Sequence, residues 1–359
     1  WAKNLFPRVQ RPSLPLPTRR WWLGSLRRMK RQREPLRVGF FGAGDISNLH
    51  WEAVRKSSDV ELAGLWNRAG CAIVPDPKAK ADQYGCRLYE SAEALAKDPS
   101  IAAIYVLTNM ESHKELATLA MEAGKHVYVE KPVGSTVAEI EEMAACAERC
   151  GVVCMPGHNY LYEPDMLRMK TLLDEGKLGK PVQLEMHYNI FHPEDVRERL
   201  PGIIRQILTH HAYVALYFLG APVSVTAMSS VIAGGRVQDR ENLAMVMMKH
   251  NGGALSMLQA SFAADDHTSD PWSFHIKLIG TEGAARYSHN DWVRNEKHIV
   301  HSHTYCAYPF TIGAASAYFA RDVLVDGRPP LSSMADAATC QRILEAAELA
   351  IKEERHVRL

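Results

Sequence analysis

Apolar residues recur along the first half of this chain in two alternating rhythms. Leu36 to Phe41 is a nearly continuous apolar run, read as a buried strand, and it stops at Gly42-Ala43-Gly44. Ile46 to Val54 then carries apolar residues at helical spacing. The rhythm repeats with a strand over Val60 to Trp66, helices over Pro77 to Tyr84 and Ser91 to Lys97, and a third strand over Ile101 to Leu107. A helix from Glu111 to Ala123 follows, with Gly124 placed to cap it, and His126 to Val129 makes a fourth strand. Strands alternating with helices across short connections predict a parallel sheet covered on both faces, with ligands at the carboxyl ends of its strands.

The second half has a different rhythm. Val182 to Tyr188 alternates as a half-buried strand does. Further strand-like runs cover Val223–Met228, Leu243–Met248, Ala254–Phe262, Phe274–Ile279 and Ala284–Ser288. Asn251-Gly252-Gly253 is the clearest hairpin signal between them. Strands in close succession predict a mostly antiparallel sheet with one apolar face needing cover. Gln206 to Gly220 reads as a helix placing Gln206 and His210 on one face, with Tyr213 and Tyr217 further along. A closing helix is expected over about 335–354.

Composition changes this picture only at the N-terminus. A chain of 359 residues has room for two domains, and 47% hydrophobic with 23% charged residues is ordinary for a globular protein. No apolar run reaches the roughly 18–20 residues of a membrane span, so a cytoplasmic protein without a membrane partner is expected. The seven cysteines form no C-x-x-C pair, and Cys146, Cys150 and Cys154 read as core residues along one helix face. His298, His301 and His303 are explained by one alternating strand, and no metal is expected. Residues 1–34 hold ten Lys/Arg against one acid, so this segment carries +9 and the remaining 325 residues −8. Residues 1–35, basic and proline-rich, are expected to be a disordered arm, and 1–28 an upstream-translated or vector-derived extension, since Met29 would suit a natural start. Arg19-Arg20 is followed by too short an apolar stretch for twin-arginine export. With an acidic body behind the arm, no nucleic-acid partner is expected.

Three stretches carry candidate chemistry. Gly42-x-Gly44-x-x-Ser47, straight after a strand, offers a pyrophosphate the free N–H groups and dipole of a helix start, around Asp45 and Ile46; serine replaces the third glycine. At the end of the second strand the acid that would select NAD is replaced by Asn67 and Arg68. Asn67 can bond a ribose hydroxyl, and Arg68 is either a partner for the 2′-phosphate of NADP or an ordinary loop arginine. Lys131, at the carboxyl end of the fourth strand and before Pro132, is either an ordinary surface lysine or a group placed to stabilise a substrate oxygen.

These motifs, with Gly124-Lys125-His126-Val127-Tyr128-Val129-Glu130-Lys131-Pro132, Gly157 to Pro164 and Gly327-Arg328-Pro329-Pro330, resemble the glucose–fructose oxidoreductase, inositol dehydrogenase and MocA family over about residues 36–359. The resemblance implies an α/β fold: a Rossmann dinucleotide-binding domain, placed at 36–156, and a C-terminal α/β domain with a large, mostly antiparallel open sheet at 157–359. It implies an NAD- or NADP-dependent oxidoreductase acting on a secondary carbinol or ketone of a sugar, glycoside or cyclitol, assembled as a homodimer or homotetramer. Cofactor contacts would come from Gly42, Gly44, Asp45, Ile46, Asn67, Arg68, Thr108, Asn109, His113, Glu130 and Lys131. Lys131 would be the active-site lysine and His210 the proton acceptor, supported by Gln206 or Tyr213, with His211 in reserve. Gln206 and Tyr213 stand where the family commonly has aspartates. Asn159, Tyr160 and Tyr162 would line the substrate site, with Leu161 where many members have arginine, and His187, His192 and Arg197 would lie at its rim. Two other readings are a glycosidase that uses transient oxidation with retained NAD, and a non-catalytic dinucleotide-binding regulator.

Overall fold

The computed structural model describes residues 34–190, 192, 198–232, 240–263, 272–288, 292–294 and 299–359, with backbone alone for 272–273, 292–294 and 299–307. The basic arm, Arg197 and His298 lie outside the described residues.

The first sheet holds six parallel strands, β1 (Leu36–Phe41), β2 (Val60–Trp66), β3 (Arg87–Leu88), β4 (Ala103–Val106), β5 (His126–Val129) and β6 (Cys154–Pro156), ordered β3-β2-β1-β4-β5-β6. The order reverses direction at β1, so the crevice beside its carboxyl end is the expected ligand site. Helices α1 (Asp45–Val54), α2 (Pro77–Tyr84), α3 (Ala92–Lys97), α4 (His113–Glu122) and α5 (Val137–Cys150) connect the strands. Their ends are written in local chemistry. Asp76, Ser91 and Thr136 each cap a helix start through a side-chain oxygen, and Gly85 and Gly151 close helix ends at φ +70 and +65. Gly151 also corrects one expectation: it ends α5 at Cys150, so only Cys146 and Cys150 share a helix face, and Cys154 lies on β6.

The second sheet holds β7 (Pro181–Ile190), β8 (Pro222–Ser230), β9 (Leu243–His250), β10 (Leu255–Ser261), β11 (Trp272–Gly280) and β12 (Ala284–Ser288), closed at one edge by the C-terminal β15 (Val357–Arg358). A separate ribbon pairs β13 (Trp292–Arg294) with β14 (Ile299–Ser302). The order is β12-β11-β7-β10-β9-β8-β15, antiparallel except where β10 runs parallel to β7. Among the described residues, four α-helices belong to this half: α6 (Pro164–Asp174), α7 (Thr209–Leu219), α8 (His303–Tyr318) and α9 (Met334–Lys352). Chain order did not reveal the parallel pair, because β8 and β9 intervene between the two strands. The expected strand through 298–303 is also shorter, since α8 begins at His303.

Strict alternation on β9 buries Ala244, Val246 and Met248 and leaves Met245 and Met247 about half exposed. Met245 lies opposite Met228, and Met247 opposite Met257, so these four form an apolar patch on the outer face of the sheet.

Of two apolar core clusters among the described residues, the larger runs through both sheets. At the junction, Tyr105 of β4 and Tyr128 of β5 stack at 5.2 Å, and the ring of Phe319 meets both edge-on at 5.5 and 5.8 Å. Phe319 opens a π-helical segment, Phe319–Val325, directly after α8, and is fully buried. Replacing Phe319 by Ala is expected to cost about 3–5 kcal/mol, read as a lower urea midpoint for the whole described body rather than for one half of it.

Candidate functional site

The turn after β1 is shaped by two glycines with different tasks. Gly42 has φ +104, and a Cβ there would lie 2.9 Å from the backbone of Leu107, so its side is closed by the protein itself. A Cβ on Gly44 would meet nothing within 4 Å. Gly44 caps α1 without any side-chain hydrogen bond, and the N–H groups of Asp45 and Ile46 have no partner among the described residues. A bare helix start beside open space is what a pyrophosphate requires. Ser47, in place of the third glycine, is buried; its hydroxyl donates to the Gly44 carbonyl at 2.6 Å and meets the Tyr84 hydroxyl at 2.8 Å, so it locks the turn against α2. These residues fit a dinucleotide.

Asn67 Oδ1 accepts from Ala43 N–H at 3.0 Å, while its amide donates to the Arg68 carbonyl. Asn67 thus holds the turn, and Arg68 beside it is exposed. At the end of β4, Thr108 and Asn109 begin a 3-10 turn that leads into α4, where His113 is buried between the carbonyls of Thr108 (3.0 Å) and Pro132 (2.9 Å). Burial pushes the His113 pKa down. His113 therefore ties the β4 and β5 loops together, rather than facing a ligand directly.

Glu130 has a similar part. It is 3% exposed, with Oε1 2.8 Å from His50 Nε2 and Oε2 accepting the Lys131 N–H at 2.9 Å. Burial alone would raise its pKa, but the His50 hydrogen bond, the Lys131 charge and the Lys131 N–H hold it below the usual carboxylate value. Both oxygens are thus spoken for within the protein, and Glu130 positions Lys131. The Lys131–Pro132 peptide is cis. Lys131 is partly buried, its Nζ donates to the Gln206 carbonyl at 3.2 Å, and burial lowers its pKa despite the Glu130 charge.

Gln206 differs from expectation. Ile204–Leu208 is a π-helical turn rather than regular helix, which changes the facing of residues ahead of α7. Gln206 offers its backbone carbonyl to Lys131, while the support of His210 comes from Tyr213, whose hydroxyl lies 2.7 Å from His210 Nδ1. His210 is 1% exposed, and burial, with Lys131, His211 and His158 around it, pushes its pKa well below the usual histidine value. His210 Nε2 has no hydrogen-bond partner among the described residues. His211 is placed otherwise: its nitrogens meet the carbonyls of Ile207 (3.2 Å) and Gln259 (3.0 Å), fastening α7 to β10.

The substrate-side residues divide likewise. Asn159 contacts the Tyr213 hydroxyl, and Tyr160 stands edge-on to the His210 ring at 5.1 Å while stacking on Phe274 at 4.6 Å. Tyr162 is only 4% exposed and its hydroxyl accepts the Leu331 N–H, so it works as a brace. His187 falls on the opposite face of β7 from Tyr188, near His275, and His192 lies against Phe262. Sequence reasoning missed Thr311, whose hydroxyl receives the Asn159 amide, and His158, stacked on Tyr213 at 4.2 Å. Neither carries a local signal, because the partners are distant in the chain. Among the described residues no group of His, Cys, Asp and Glu can hold a metal ion, and no helix is long and apolar enough to cross a membrane.

Comparison with known proteins agrees with this geometry. Residues 36–158 match the family model "Oxidoreductase family, NAD-binding Rossmann fold", and residues 166–286 match the "GFO/IDH/MocA C-terminal domain". The chain is 33% identical to the uncharacterized oxidoreductase YdgJ of Escherichia coli over 53% of its own length and 56% of that protein, so the match spans little more than half of that relative. It is 25% identical to an inositol 2-dehydrogenase of Rhizobium meliloti over 69% of this chain and 74% of that one. Among solved structures, GenD2 from gentamicin A biosynthesis, in complex with NAD, superimposes with a TM-score of 0.79 at 21% identity, covering 91% of this chain and 97% of that one. At that identity the likeness speaks for the fold alone.

The two glycines should separate in experiment. Gly44→Val is expected to leave the thermal midpoint nearly unchanged and to abolish NAD binding in a calorimetric titration. Gly42→Val should lower the midpoint itself, because its Cβ has no room even without ligand.

Proposed function

The chain belongs to the Gfo/Idh/MocA family of NAD-binding oxidoreductases, and from that premise we propose that it oxidises or reduces a secondary carbinol or ketone carbon of a sugar or cyclitol. The observation that carries this reading is that Lys131, at the carboxyl edge of the first sheet, reaches the turn from which α7 presents His210. Inositol 2-dehydrogenase, 1,5-anhydro-D-fructose reductase and D-apiose dehydrogenase among the relatives support the substrate class.

The nicotinamide, when bound, supplies or takes the hydride. The protein does the rest. Gly42 lets the turn pass close against Leu107, Gly44 leaves room for the pyrophosphate, and the first-turn amides of α1 bind it. Lys131 donates to the substrate oxygen and stabilises negative charge developing there. His210, kept neutral by burial, accepts the hydroxyl proton in the oxidative direction. Tyr160, fully buried and stacked on Phe274, backs the His210 ring edge-on and holds it in place. Arg68, exposed at the end of β2 and in no ion pair among the described residues, leaves room for the 2′-phosphate of NADP as well as for NAD. The exposed Met228, Met245, Met247 and Met257 support a homodimer or homotetramer in which a second copy covers the open sheet.

Lys131→Met and His210→Gln are each expected to lower kcat by about 10²–10⁴ while NAD affinity stays near its starting value, in assays against a panel of cyclitols and aldoses. Retained turnover in both variants would count against the enzyme reading. Because the folded-state pKa of His210 is depressed, the base stays available as pH falls past the ordinary histidine value of about 6.5, so the acid limb of kcat/KM should appear below that value. Met247→Asp should shift the protein toward monomer in light scattering coupled to gel filtration.

A further inference from the structure

The hydrogen bonds behind His210 run in one direction only. A backbone carbonyl cannot donate, so the Thr311 hydroxyl, 2.7 Å from the Tyr308 carbonyl, spends its proton there. The Thr311 oxygen can then only accept, and what faces it must be the Asn159 amide nitrogen, at 2.5 Å. That choice turns Asn159 Oδ1 toward the Tyr213 hydroxyl at 3.2 Å. The phenol donates to Oδ1, and its oxygen is left to accept. It receives the Tyr160 backbone N–H at 3.3 Å and meets His210 Nδ1 at 2.7 Å. With its one proton already committed, the phenol requires His210 to carry hydrogen on Nδ1, and in the neutral ring that leaves a bare lone pair on Nε2. Thr311, Asn159, Tyr213 and His210 are all buried to within 2% of full exclusion, so water has little access to reverse any link. The His158 ring stacked on Tyr213 at 4.2 Å, itself bonded to Ser332 at 2.7 Å, holds the phenol in plane.

We propose that Thr311, Asn159 and Tyr213 are positioning residues: a one-way relay, anchored on the Tyr308 carbonyl, that fixes His210 as the Nδ1–H tautomer and reserves Nε2 for the substrate proton. The proposal rests on the reading of His210 as the proton acceptor and extends it to residues on three separate elements. In this chain a neutral relay does the orienting that a carboxylate at position 213 would do by charge. It also explains why Gln206 is dispensable to His210 and free to serve Lys131 through its backbone.

The proposal makes a directional claim about a switch. Without the Thr311 hydroxyl, the Asn159 amide keeps only its side-chain hydrogen bond with Tyr308, whose hydroxyl can donate as well as accept, so the amide can flip and present its NH2 to Tyr213. The phenol then accepts from Asn159 and donates to His210 Nδ1, and the ring proton moves to Nε2, which closes the site to a substrate hydroxyl.

The test is long-range proton–nitrogen correlation NMR on the full chain labelled with 15N-histidine, at pH 7.5, with the His210 signals assigned by their loss in His210→Gln. The wild-type protein is expected to show Nδ1 protonated and Nε2 bare. Thr311→Val is expected to move the population toward Nε2–H, and Thr311→Ser to restore the wild-type pattern. In parallel, kcat on the best cyclitol or sugar should fall about 10²-fold or more in Thr311→Val, with NAD affinity unchanged and recovery in Thr311→Ser. A wild-type His210 protonated on Nε2, or a Thr311→Val spectrum identical to wild type, overturns the relay, and the first of these needs no variant to fold. The tautomer is read without turnover, so the two readings fail separately. An Nδ1–H ring in a protein that oxidises no carbinol leaves the relay standing and removes the function, whereas turnover with the other tautomer does the reverse.

Discussion

A carboxylate buried to 3% exposure must be compensated, and the compensation of Glu130 organises the functional half of this molecule. One oxygen takes His50 from α1, the helix whose start forms the phosphate turn. The other takes the N–H of Lys131 at the end of β5. One buried charge therefore ties the turn after β1 to Lys131 at the end of β5. Loss of one partner from a buried pair typically costs about 3–5 kcal/mol. That scale makes the spacing between turn and lysine stiff. His113 adds a second tie by bridging the loops after β4 and β5 through two carbonyls.

Much of this was legible in the sequence because it is local. The first sheet follows from apolar runs and turn glycines, and the helix starts at Ser91 and Thr136 from side chains that bond backbone three residues ahead. Gly42 and Gly44 read correctly as a turn, although only the structure distinguishes the one closed by Leu107 from the one left open. The support of His210 is where local reading ran out. A period of 3.6 residues places Gln206 beside His210, but the π-helical turn over Ile204–Leu208 breaks that period, and nothing in the residue types announces it. Thr311 was out of reach for another reason. It lies 152 residues from Asn159, on a helix that begins where alternation suggested a strand.

The histidines show how far residue type alone is from role. His50, His113, His158, His210 and His211 are all buried, yet each answers to a different neighbour: a carboxylate, two loop carbonyls, a serine, a phenol, and a helix joined to a strand. Of these five, His158 and His210 each keep an Nε2 with no hydrogen-bond partner among the described residues, and His50 Nδ1 is sealed in the aromatic interior. Burial makes protonation costly for a histidine without a counter-charge. The same fold thus turns similar side chains into fasteners in most places.

The aromatic junction of Tyr105, Tyr128 and Phe319 has a consequence for how such chains diversify. The Tyr105 hydroxyl also meets Ser316 at 3.1 Å, so the nucleotide half and the helix after residue 303 share a polar contact as well as three rings. Recombination that grafts a new substrate domain onto this nucleotide domain would have to inherit residues 316 and 319 together with 105 and 128. A crossover that separates them leaves an unfilled aromatic socket and a buried hydroxyl short of its partner. The two halves are therefore heritable as a matched set.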